Sequence, residues 1–111
     1  MRWIHIAVDS IPGENGIHKI RVAGKPICLI SHRGALYATS ARCPHAGADL
    51  SRGWCEEGRL ICPYHRRAFD LRTGRGDAGQ GDYVRVYPLE QREDGLYIGV
   101  KESWIRKLFS S

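Results

Sequence analysis

Two short segments of the 111-residue chain carry side chains that bind transition metals: Cys43-Pro44-His45 and, after sixteen intervening residues, Cys62-Pro63-Tyr64-His65. The pattern is C-x-H followed by C-x-x-H, with a thiol and an imidazole in each segment. On ligand chemistry alone two centres compete. One is a tetrahedral, structural Cys2His2 zinc site; the other is a two-iron, two-sulfide cluster with both cysteines on one iron and both histidines on the other. Spacing separates them, because zinc fingers with this ligand set group cysteine with cysteine and histidine with histidine. Here each segment supplies one of each, as a cluster with two chemically different irons requires.

The other candidates read more plainly. Four cysteines in a short secreted chain would suggest two disulfides, but nothing in the sequence directs secretion. Cys28 lies in the apolar run Ile27–Ile30 and is expected to be a buried small hydrophobe. Cys55, beside Trp54 and Glu56-Glu57, reads as a spare thiol, and Trp54 as a packing residue. His5, His18 and His32 sit in or beside strand-like segments and are expected to face solvent. Arg66 and Arg67 follow His65 directly, and they serve either a docking surface or a solvated turn.

Positioning these groups falls to short β-segments. Ile4, Ile6 and Val8 alternate, as do Ile20 and Val22, Leu36 and Ala38, Val84 and Val86, and then Leu96, Ile98 and Val100. Pro12-Gly13, Gly24-Lys25-Pro26, Arg33-Gly34 and Asp94-Gly95 supply turn signals between them. The expected fold is therefore all-β, in one domain over 1–111. Residues 41–82 differ, with glycine at 47, 53, 58, 74, 76, 79 and 81 and little sustained alternation. A loop region that long needs something besides a hydrophobic core to hold it, and a metal centre would serve. The tail places Trp104, Ile105, Leu108 and Phe109 at helical spacing, which predicts a short amphipathic helix over 103–109 capped by Ser103.

At the ligand segments the chain resembles the Rieske iron-sulfur family. Cys43-Pro44-His45-Ala46-Gly47-Ala48-Asp49-Leu50 is similar to the first family loop, where glycine lets the chain turn and leucine shields the cluster. Cys62-Pro63-Tyr64-His65, followed by Phe69-Asp70 and Thr73-Gly74, is similar to the second. The resemblance implies a Rieske-type antiparallel β-sandwich with a small loop-rich subdomain binding one 2Fe-2S cluster per chain. Carried onto this numbering, Cys43 and Cys62 would hold the inner iron, and His45 and His65 the outer one near solvent. An electron added to the cluster would settle on that outer iron.

Departures from the family pattern carry their own expectations. The high-potential members join their loops by a disulfide, whereas Ala48 and Tyr64 stand at those positions here. They also aim a serine and a tyrosine hydroxyl at the cluster sulfurs, where this chain has Arg67 and Phe69. Many soluble members have glycine after the second histidine, where this chain has Arg66. The covering loop, Arg75 to Asp82, contains no proline, so looser cover is expected.

Charge and hydropathy bound the partners. Seventeen bases against twelve acids give a net charge of +5, but the bases are scattered and no nucleic-acid motif is present. An acidic patch on a protein partner is the expected meaning. Ile27–Ile30 is the longest aliphatic or sulfur run and falls far short of a membrane span, so no membrane role and a cytoplasmic location are expected. The leading expectation is a one-electron carrier between a reductase and a terminal oxygenase, not an enzyme in itself. A small subunit of a nitrite-reductase-like complex is the alternative, and a zinc-stabilised interaction module is the alternative of another class.

Overall fold

The computed structural model describes residues 1–44 and 47–103. Among these residues ten strands form three antiparallel sheets. The first joins β1 (Arg2–Ile6), β10 (Gly95–Val100) and β9 (Leu89–Arg92) in the order β1-β10-β9. The second has the order β2-β3-β4-β8, from β2 (Ile17–Val22), β3 (Lys25–His32), β4 (Ala35–Ser40) and β8 (Val86–Tyr87). The third, β5 (Trp54–Glu56), β6 (Arg59–Ile61) and β7 (Ala68–Asp70), lies inside the stretch whose alternation was weak. None of the described helical segments is long and apolar enough to cross a membrane.

Two cores result, and β3 belongs to both. Ile27 and Leu29 join Ile6, Val22, Ala38, Leu96, Ile98 and Val100 between the first two sheets. Their neighbours in sequence, Cys28 and Ile30, point to the opposite face and join Leu50, Leu60, Phe69, Leu71 and Val84. Successive side chains on a strand point to opposite faces, so a strand covered on both sides must be apolar throughout. That is the physical reason for the run Ile27–Ile30, all of it inaccessible to solvent. Fully burying one such side chain contributes about 1.5–3 kcal/mol.

Three hairpins use the same turn. Ala23-Gly24 joins β2 to β3, Arg33-Gly34 joins β3 to β4, and Glu57-Gly58 joins β5 to β6, each with positive φ at both residues. This two-residue geometry matches strand twist, and glycine at the second position removes the steric cost there. The turn expected at Gly24-Lys25-Pro26 is thus shifted, because Lys25 and Pro26 already pair as part of β3. Pro12-Gly13 makes no hairpin; β1 pairs instead with β10 at the far end of the chain. Val8 lies past the end of β1 and is 81% exposed. Val84 and Val86 do not share a face in the expected way, since Val84 is buried in the core with Cys28 and Ile30 and Val86 is exposed. Of the tail helix expected over 103–109, only Ser103 falls among the described residues.

Candidate metal centre

The two ligand segments are loops closed by the same backbone bond. Cys43 N–H donates to the Ala48 carbonyl at 2.8 Å, and Cys62 N–H donates to the Arg67 carbonyl at 2.7 Å. In both, the cysteine opens a six-residue loop whose base is pinned by a strand-like pair. Arg42 and Asp49 bridge below the first loop, and β6 pairs with β7 below the second. Gly47 N–H also donates to the Cys43 carbonyl at 2.8 Å, and Gly47 takes the positive φ that the tight first loop requires.

Both cysteines face inward. Cys43 and Cys62 are 1% and 0% exposed and share one apolar core with Leu50, Leu60 and Phe69. Their thiols are in hydrogen-bond contact, and Tyr64 N–H donates to Cys62 Sγ at 3.4 Å. Burial pushes the Cys62 thiol up; the Tyr64 N–H opposes that shift, the neighbouring Cys43 adds to it, and Arg67 opposes it. Two buried thiols in contact, with a backbone donor aimed at one sulfur, suit a cation that deprotonates both on binding. His65, three residues on from Cys62, is exposed and has φ +60°. His45 lies outside the described residues. The structure therefore brings Cys43 and Cys62 together and places His65 at the exposed end of the same loop.

The remaining cysteines and histidines sort themselves by burial. Cys28 is fully buried, and burial pushes its thiol up to about 12, which suits a small hydrophobe. Cys55 is half-buried, with its thiol raised to about 11 by burial and by Glu14. His5 and His18 are exposed, as expected. His32 is not: it is 5% exposed, with Nδ1 2.7 Å from Asn15 Oδ1 and Nε2 accepting from Gly58 N–H at 3.0 Å. Only the neutral Nδ1–H tautomer satisfies both partners. Its role is structural, tying the end of β3 to the β5–β6 turn. Sequence gave no sign of this, since both partners are remote in the chain.

Arg66 and Arg67 are already engaged. Arg66, in the left-handed region at φ +52°, stacks its guanidinium 5.3 Å from the Trp54 ring centroid and lies 3.5 Å from Glu56, which also accepts from Trp54 Nε1. Trp54 thus serves as a platform beside the loop. Arg67 is mostly buried and pairs with Asp82 at 3.5 Å. Asp82 accepts from the Gln80 side-chain amide, and Gln80 Oε1 accepts from Ala68 N–H. Asp77 N–H donates to the Ala68 carbonyl and Gly76 N–H to the Asp82 carbonyl. The loop from Arg75 to Asp82 is therefore tied down by side-chain and backbone bonds although it contains no proline.

Asp49 links the first loop to β2. Its Oδ1 accepts from Ser51 N–H and Oγ–H, capping the 3₁₀ turn Leu50–Arg52, while Oδ2 pairs with Lys19 at 2.7 Å. Lys19, then Ser51, hold the Asp49 carboxyl down to about 2. A lowered folded-state value means that the contribution is complete above the unfolded value of about 3.9 and is lost as pH falls toward 2. Asp49→Asn is expected to cost about 1 kcal/mol near neutrality. In thermal unfolding, the gap between variant and wild type should hold from pH 7 to 5 and narrow below 4; a gap that widens in acid contradicts the assignment.

A family model described as Rieske [2Fe-2S] domain matches residues 2–88. The ferredoxin component of a naphthalene 1,2-dioxygenase system from Pseudomonas aeruginosa is 34% identical over 91 residues, covering 80% of this chain and 86% of the relative. The ferredoxin of carbazole 1,9a-dioxygenase from Nocardioides aromaticivorans IC177 superposes with a TM-score of 0.78 at 26% identity, covering 91% of this chain and all of that one. A chain in the complex of reduced oxygenase and oxidised ferredoxin in carbazole 1,9a-dioxygenase gives 0.74 at 26% identity, covering 87% of this chain and 92% of that one.

Proposed function

Because the chain belongs to the Rieske [2Fe-2S] domain family, we propose that Cys43, His45, Cys62 and His65 hold its cluster and that it carries single electrons from a reductase to a terminal oxygenase. The observation that carries this reading is the meeting of two buried cysteines from two identically closed loops, with an exposed histidine on one of them. Bound at these residues, a [2Fe-2S] cluster would supply one-electron chemistry. The protein's part is to exclude water at the cysteine side, where Leu50 and Phe69 are fully buried, and to leave the His65 side open to a partner. The +5 net charge supports an acidic patch on that partner, and the cytoplasm is the proposed location.

Iron and acid-labile sulfide near two each per chain, with an EPR signal after dithionite reduction, test the cofactor. Zinc without colour would refute it. The same sample yields the midpoint potential, expected in the lower third of the Rieske span of roughly −150 to +300 mV. Each hydrogen bond to a cluster sulfur stabilises the added electron. Phe69 offers no hydroxyl, and the Arg67 charge that would raise the potential is offset by Asp82. Phe69→Tyr is expected to raise the potential by tens of millivolts, roughly one net hydrogen bond of about 1 kcal/mol. A wild-type value above about +150 mV would contradict the argument.

A further inference from the structure

Three shallow depressions of about 420, 440 and 400 Å³ share Arg42 and run together into one groove beside the first loop. The groove reaches that loop at Gly47 on one side and Pro44 on the other. Its cations come from four separate places in the chain: Lys19 and Arg21 on β2, Lys25 at the start of β3, Arg42 after β4, and Arg85 before β8. Only the fold gathers them. Two carboxylates line the same groove, and both are occupied, Asp49 by Lys19 and Asp82 by Arg67. Arg21, Arg42 and Arg85 form no ion pair among the described residues, on a surface that also exposes Pro44 and 63% of Tyr83. Arginine and tyrosine around a shallow depression are the residue types that anchor protein interfaces.

We infer that this groove, with Arg42 and Arg85 at its centre, is the docking face for an acidic surface on the protein that exchanges electrons with the chain. The inference rests on the electron-carrier reading and adds where the partner sits. The partner approaches over the first loop, and the contact is not centred on the Arg66-Arg67 pair, which is committed to Glu56 and Asp82. Charge complementarity sets the sign of the partner, and adjacency to the first loop sets its distance from the ligand segments.

The test measures reduction of the oxidised, cluster-loaded protein by two donors of opposite sign, a reduced flavodoxin as the acidic protein and the methyl viologen radical cation. Arg42→Gln with Arg85→Gln is expected to slow the flavodoxin reaction about tenfold at an ionic strength of about 10 mM, roughly threefold per charge. Viologen should then react as fast or faster. The wild-type rate with flavodoxin should fall toward that of the variant as salt rises. Arg33→Gln, at the far end of β3 from Lys25, should leave both rates within about twofold, since surface charges beyond the screening length act weakly. If Arg66→Gln slows the flavodoxin reaction and the groove pair does not, the docking face is on the second loop and the inference fails. A wild-type rate indifferent to salt overturns it equally. A protein that neither donor reduces, or that holds no cluster, overturns the carrier reading itself.

Discussion

Cys62→Ala is expected to yield protein with no visible absorption band and no more than a trace of iron and sulfide. Cys43→Ala, His45→Ala and His65→Ala should do the same. The proposed centre draws on four protein ligands and no spare, so any single loss leaves one iron under-coordinated. Cys62 sits at the junction of β6 with the second loop, its N–H bonded to the Arg67 carbonyl and its sulfur against that of Cys43. No other described side chain replaces it there. Cys28 is the informative control, because it shares the same core as Cys43 and Cys62 and could be mistaken for a ligand. Cys28→Ala removes a buried sulfur from an apolar layer, so some stability should go while the cluster stays. Cys55→Ser, at a half-buried position, should leave both intact. A colourless Cys28→Ala protein that remains folded by circular dichroism, or a full cluster in His65→Ala, would overturn the ligand set.

The second large effect is expected at Gly74, twelve residues after Cys62. Its N–H donates to the Asp70 carbonyl and its carbonyl accepts from Val84 N–H, at 2.7 and 2.8 Å, so it joins the end of β7 to the segment entering β8. A Cβ here would collide with the Val84 carbonyl oxygen and press on Val86 Cγ1, and the backbone has φ +80°. The clash is with main chain, which cannot rotate away. Left-handed strain of about 1 kcal/mol and overpacking of about 1–3 kcal/mol add for Gly74→Ala. A chain of this size should then lose roughly 10 °C or more in Tm. Gly79→Ala separates the two causes, because φ is +90° there but nothing lies within 4 Å of the added carbon. It should cost only the conformational part, about 1 kcal/mol. Equal Tm values for the two variants would show that the close approach at Gly74 is relieved elsewhere.

Part of this protein is legible residue by residue. The proposed ligand motif is local, because thiol and imidazole at fixed spacing in a single loop would constrain a metal whatever surrounds them. The β-segments are local too, since side chains alternate across a strand at every position. Hence Ile6, Leu96, Ile98 and Val100, read as one face of their strands, all lie in the core between the first two sheets.

What the sequence left open depended on partners remote in the chain. A continuous run such as Ile27–Ile30 specifies burial but not what covers it; only the tertiary structure places a second core over Cys28 and Ile30. The β5–β6–β7 sheet escaped notice because three-residue strands are too short for a period to show, and its Glu57-Gly58 turn gives a weak signal. His32 looked like a surface histidine until Asn15 and Gly58 were brought to either side of its ring. The charge pattern changed most. Arg66 and Arg67, adjacent in sequence, are neutralised by Glu56 and Asp82, while Arg21, Arg42 and Arg85, scattered in sequence, converge on one groove. Coulomb interactions act through space and not along the chain, so the fold alone decides which cations face a partner.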